Sequence, residues 1–273
     1  MLTKNLALIS QSSQVTTDQL QEVAAALQKQ VTRDLAPIWN ISATISVFSS
    51  LDALPVGYWP IVIKDDINQP GAGGFHSQKN NQPFALIKAD NDWILSTGHE
   101  MIEMLVDPSA NMTAAGDSLK PDQGRVLYLV EACDPCEAGE FAYSINGITV
   151  SDFITPHYHD PVASPSVRYS FTGSITAPRQ VLKGGYISWF EPESQSIWQA
   201  VNNGQGLQFR ELGVKAGGFS LRHFVDSHPK NKVESYSKTL PSNKILGNTK
   251  PETREKSSMA ASRIWEEDIK SYE

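Results

Sequence analysis

Residues 96 to 108 read STGHEMIEMLVDP, with a histidine, two glutamates and an aspartate in one short stretch. In a helix, positions four apart stack on one face, with Cβ atoms about 6 Å apart. His99 and Glu103 can therefore reach a single cation, as paired histidines do in an H-E-x-x-H metal site. Glu100 lies about 100° further round the helix. There it can touch a water on the metal without binding the metal, which is the position of a general base. A catalytic zinc typically keeps three protein ligands and an open position, so another residue must complete the set. Asp107 lies eight residues from His99, about 12 Å along the axis, too far to share the ion. It is expected instead to bond at the helix end with a backbone, basic or cationic partner, because its charge opposes the helix dipole.

Other residues compete for a ligand's role. In TPHYHD, an extended backbone would point His157 and His159 to the same face as a ready metal pair. Ordinary loop or sheet-face histidines are the simpler reading of both. His76, after a Gly-rich loop, is a weaker candidate.

The helix needs a scaffold, and the sequence before it supplies one. NLALIS (5–10) reads as a buried strand. Thr16 and Gln19 form a capping box, and Leu20, Val23, Ala24, Leu27, Val31 and Leu35 repeat at helical spacing, giving a helix over 17–35 that Pro37 stops. ATISVFS (43–49), YWPIVIKDDI (58–67) and PFALIKAD (83–90) read as strands, with Pro60 pointing to an edge or a strand start. Residues 68–83 read as a Gly/Asn/Pro-rich connection without phosphate-loop spacing. Asp90 or Asn91 can cap the helix carrying His99, and Pro108 ends it at Asp107. Further on, GRVLYLVEACD, FAYSING, ITVSDFITP, VRYSFTG, GGYISWF, LQFREL and GGFSLRHF read as short strands, with Asn146-Gly147 marking a hairpin.

The β-α-β-β-β-α order ending on an H-E helix resembles the first half of a zincin-type metallopeptidase. More narrowly, HEMIEMLVDP followed by EACDPC is similar to an H-E-x-x-E-x-x-x-D-P … E-x-x-D-x-C signature found in zincin-like proteins, including the plant Exordium (phosphate-induced) group. The resemblance covers residues 5 to 160. It departs from the usual pattern at Glu103, where the family's second histidine stands, and at Val106, where metzincins have glycine.

The resemblance implies a hydrolase, with a peptide or protein as substrate. Glu100 is then the base, and His99 and Glu103 bind the metal. Glu131 is the preferred third ligand, as a distant glutamate is in thermolysin-like members. Asp134 supports it or orients His99 through the free ring nitrogen. The strand before the active helix, here PFALIKAD, is expected at the cleft edge against extended substrate.

Two carboxylates in place of one make a zinc site formally neutral, so the ion is a poorer Lewis acid. Zinc is the expected metal, with Mn²⁺, Mg²⁺ or Ca²⁺ as carboxylate-tolerant alternatives. The competing reading is an inactive binding module on a zincin scaffold, with a vestigial or structural metal site.

The fold class expected is α/β (α+β), with a strand-rich second half. Residues 1–165 form the metal-site region, 166–227 an extension packed on it or continuous with it, and 228–273 a polar tail. That tail carries a weak helix after Pro251, and lies over the body or docks on a partner. The chain has 273 residues, 40% of them hydrophobic, and a net charge of −7 without a basic block, which argues against nucleic acid. No apolar run is long enough for a signal or a membrane span, so a soluble, cytoplasmic protein is expected; a secreted form lacking its leader would read the same. Cys133 and Cys136 are half of a zinc ribbon, a thioredoxin-like pair or, as favoured, two loop thiols or a small disulfide. Trp189 and Trp198 are read as sheet packing rather than cleft lining.

Overall fold

A computed structural model describes residues 3–214 and 220–228. The polar tail beyond His228, with the helix expected after Pro251, lies outside the described residues. The described residues mix helices with two five-stranded sheets and a small two-stranded hairpin, in keeping with the α/β (α+β) class.

The first sheet contains β1 (Thr3–Ser10), β2 (Ser42–Val47), β3 (Tyr58–Lys64), β4 (Gly74–Lys79) and β5 (Gln82–Lys88), in the order β2-β1-β3-β5-β4. All neighbours are parallel except β4, which runs antiparallel to β5 at the edge. Parallel strands are covered on both faces, so they read as unbroken apolar runs. Leu6, Leu8, Ile61, Ile63, Ala85 and Ile87 face the main core, whereas Ala7, Ile9, Val62, Phe84 and Leu86 join Phe75 in a second cluster on the opposite face. The strand β3 is interior, and Pro60 stands near its start.

Between β1 and β2, helix α1 (Thr17–Lys29) opens with the expected capping box, in which Gln19 N–H donates to Thr16 Oγ1 and Thr16 N–H to Gln19 Oε1. It does not stop at Pro37. A π-helical turn (Gln30–Leu35) leads into α2 (Ala36–Trp39), and Asn40 ends the run in the left-handed region at φ 55°. In the wider turn Ala36 N–H reaches back to Val31, and Pro37 sits in the first turn of α2, where its missing N–H costs little.

The edge strand corrects two expectations. Residues 74–79 form β4 inside the stretch read as a loop, and PFALIKAD is therefore one strand in from the edge. β4 and β5 are joined by Asn80 and Asn81, both at positive φ, the geometry a two-residue hairpin needs.

Helix α3 (Trp93–Val106) crosses beneath β4 and β5 and carries the H-E motif. It approaches α1 where Gly98 leaves room: a Cβ there would meet Leu27 Cδ2 at 3.3 Å. The second sheet is antiparallel, ordered β12-β11-β10-β7-β6, from β6 (Thr113–Asp117), β7 (Arg125–Leu129), β10 (Tyr186–Glu191), β11 (Ser196–Asn202) and β12 (Leu207–Val214). It takes strands from both sides of residue 165. Its Val126, Tyr128, Ile187 and Trp189 share one core with Met101, Met104 and Leu105 of α3. Trp189 is fully buried and donates to Gln123, and Lys120 lies over the half-buried Trp198, so both tryptophans pack the sheet.

β8 (Tyr143–Ile145) and β9 (Ile148–Val150) make the Asn146-Gly147 hairpin. VRYSFTG supplies only an isolated bridge, Ser170 to Ile154. GGFSLRHF is not a strand: after Ser220, whose hydroxyl caps His223 N–H, it forms α4 (Leu221–Asp226). No helix among the described residues is long and apolar enough to cross a membrane.

Candidate metal centre

The motif residues of α3 meet three other segments in a buried cluster. β4 brings His76, the segment after β7 brings Glu131 and Asp134, and α4 brings Arg222. All are buried, Glu103 completely.

Glu103 stands at the centre, and its two oxygens have different surroundings. Oε1 accepts the backbone N–H groups of Cys133 (3.0 Å) and Asp134 (3.3 Å) and lies 3.3 Å from His99 Nε2. Oε2 has no hydrogen-bond partner among the described residues, although Arg222 Nη2 approaches to 3.4 Å and His76 Nδ1 to 3.7 Å. His99 Nε2 also lies 3.1 Å from Asp134 Oδ1. The four-residue spacing thus puts imidazole and carboxylate side by side, and Asp134 meets the same ring nitrogen as Glu103 rather than the free one an orienting partner would take.

Glu100 Oε2 is 3.3 Å from His76 Nδ1, and its Oε1 is 4.0 Å from His99 Nε2. Gly74 makes room for this carboxylate, since a Cβ there would meet Glu100 Cγ at 2.9 Å. Gly185 has a similar task across the cluster. A Cβ on it would meet the carbonyl oxygens of Pro135 at 2.5 Å and Asp134 at 2.7 Å, so only glycine lets β10 lie against this turn.

Glu131 is buried beside Arg222, with Oε2 3.1 Å from Nη1, yet neither of its oxygens accepts a hydrogen bond among the described residues. Arg222 Nη1 lies closer to Asp134 Oδ2, at 2.7 Å, and its Nε pairs with Asp226 at 3.1 Å.

Charge follows this layout. Burial works against a charged His99, but Glu103 and the bond to Asp134 outweigh it and raise its pKa well above the ordinary histidine value. Burial also opposes ionisation of Glu103 and Asp134, yet His99 and Arg222 hold Glu103 well below the carboxylate range, and Arg222 first of all lowers Asp134. Glu131 behaves oppositely. Burial pushes its carboxyl well upward, Arg222 offsets this in part, and the charges of Glu103 and Asp134 raise it further.

Three groups here have the composition and spacing to hold a metal ion: His76, Glu100 and Glu103; His99, Asp134 and Glu137; and Glu103, Glu131 and Asp134. The expected set of His99, Glu103 and Glu131 is drawn into one cluster, but Glu131 falls in a group with Glu103 and Asp134 rather than with His99. Orphaned buried carboxylate oxygens beside imidazole nitrogen are donors that suit a divalent ion.

Asp107 behaves as its position predicts. It accepts from Met112 N–H at 2.6 Å and from Ser109 Oγ at 2.8 Å, closing the turn after α3. His157 and His159 do not form a metal pair. Pro156 starts a short 3-10 turn (Pro156–His159) instead of a strand, His157 faces solvent against Asp160, and His159 packs between Tyr128 and Tyr158. Neither belongs to a possible metal group among the described residues.

The two cysteines are free, buried thiols in the turn that serves Glu103, and burial pushes both pKa values well up. Such thiols are inert. Sequence reading missed Glu137 and, with more consequence, Arg222. Its signal was an i,i+4 pair with Asp226 behind a serine cap, hidden in a segment whose alternation looked like a strand. Comparison of the chain with protein-family models, curated proteins and solved structures gave no match.

Proposed function

We propose that the protein is a metal-dependent hydrolase of the zincin type, with peptides as its substrate class. The observation that carries this reading is the approach of His99 Nε2 to both Glu103 Oε1 (3.3 Å) and Asp134 Oδ1 (3.1 Å), with Glu100 next in the same helix. His99, Glu103 and Asp134 would hold a divalent ion, zinc first, which when bound polarises a carbonyl and acidifies water.

The chain's own residues have separate tasks. Glu100 accepts the proton of the attacking water and returns it to the leaving amine. His76, 3.3 Å away, fixes that carboxylate, and Gly74 leaves the space it occupies. The backbone N–H groups of Cys133 and Asp134 hold Glu103 in place. β4 is the outermost strand of its sheet and lies against α3, so an extended peptide adding to its outer edge would run past the cluster.

A second reading is a binding module with a structural metal. It draws on the depth of the cluster, where His99 is only 8% exposed, and on the internal pairing by Arg222.

Substitution of Glu100 separates the two. The full chain would be supplied with Zn²⁺, Mn²⁺, Mg²⁺ or Ca²⁺ and a peptide library, with cleavage read by mass spectrometry. Glu100→Gln is expected to keep the metal and lose at least about 100-fold in turnover, the size of a general base's contribution. No cleavage by the parent with any of these ions would overturn the hydrolase reading in favour of the module.

A further inference from the structure

Arg222 is the one member of the cluster that no metal chemistry requires, and its placement is informative. Its guanidinium is 2% exposed and reaches three carboxylates at once: Asp134 at 2.7 Å, Glu131 at 3.1 Å and Glu103 at 3.4 Å. These three are also a group whose oxygens lie within 4.8 Å of one another, the arrangement a metal ion takes. Neither Glu131 oxygen nor Glu103 Oε2 has a hydrogen bond among the described residues, so the acceptors aimed into this space exceed what the guanidinium satisfies.

We propose that Glu103, Glu131 and Asp134 form a divalent-cation site in which Arg222 is the resident cation, so that α4 latches the site shut and metal enters as Arg222 leaves.

The latch has the parts it needs. Leu221 and Val225 seat α4 on Leu129 and Ile197 of the second sheet. Asn111 accepts Leu221 N–H at 3.2 Å, and Gln69, in the loop before β4, donates to the Asp226 carbonyl. α4 therefore bridges the edge-strand side and the second sheet beside the cluster. Asp226 holds Arg222 Nε at 3.1 Å, giving the guanidinium a partner on its own helix that travels with it. Divalent ion and guanidinium compete for the same oxygens, because like charges cannot share them at such distances. This inference rests on the metal reading above, with which it shares Glu103 and Asp134, and it adds Glu131 and a regulating cation to that reading.

The test is a Zn²⁺ titration of the full chain against a chromophoric chelator, for the parent and Arg222→Met. Loss of the competitor is expected to tighten Zn²⁺ binding tenfold or more. In the parent, saturating Zn²⁺ is expected to speed amide hydrogen exchange across 221–226. Equal affinities within twofold, or weaker binding by Arg222→Met, would overturn the latch while leaving the metal site standing. Absence of binding by either protein would overturn both. Should Arg222→Met fail to fold, the exchange readout on the parent protein decides alone. The exchange measurement needs no variant, and slower or unaltered exchange in α4 contradicts the latch.

Discussion

The first sheet with α3 and the second sheet with α4 both feed the cluster, but by different kinds of structure. His76 stands on a strand whose Phe75 joins the second apolar cluster, and His99, Glu100 and Glu103 on a fourteen-residue helix packed into the main core. Glu131 and Asp134 come from the segment and short turn after β7, and Arg222 from a helix of six residues with its own small apolar cluster. Side chains that must hold a geometry sit on elements fixed over their whole length. Those that neutralise or cover it sit on short pieces that can move at lower cost. On the proposed reading, the first region supplies the base and the imidazole, and the second supplies carboxylates and the arginine that covers them.

Glu103 is where the two regions meet, and Glu103→Gln attacks the comparison hardest. It would leave a charged His99 and Arg222 facing a neutral amide in a buried space. A loss of about 3–5 kcal/mol in stability is expected, as for other broken buried ion pairs, measured by urea denaturation. A loss under about 1 kcal/mol would mean that the regions are not joined through this carboxylate.

A smaller effect comes from the second region alone. Burial, with Arg179 adding to it, lowers the pKa of His159 from 6.5 to about 4. The unfolded chain then binds more protons between these values, so stability rises with pH from about 4 to about 6.5 and is lost as the solution is acidified. The full swing for this group is about 3 kcal/mol. His159→Phe is expected to flatten that part of the profile in urea melts taken at stepped pH. An unaltered slope would show that acid acts elsewhere, the cluster included.

Legibility divides along a similar line. The parallel strands and α1 were readable because burial on both faces writes unbroken apolar runs, and the Thr16 capping box marks a helix start. β4 was hidden because GFHSQK is polar and glycine-containing, as an edge strand can be, although the paired asparagines that follow are a hairpin signal. α4 was misread because S-L-R-H-F alternates as well as it repeats helically. At the site, helical spacing alone gives the His99–Glu103 pair. It cannot give Arg222, which lies 88 residues beyond Asp134, nor the side of the cluster on which Glu131 falls. Spacing reports what one element can do, whereas pairing across the core depends on which elements the fold brings together.

The claim on which the rest stands is that this cluster binds a divalent ion through His99. Zinc content, measured by mass spectrometry after loading and desalting the full chain, tests it most directly, beside His99→Ala and the surface control His157→Ala. One zinc per chain in the parent and in His157→Ala, with less than a tenth of that in His99→Ala, is the predicted result. Equal zinc in all three proteins, or none in the parent, would contradict it.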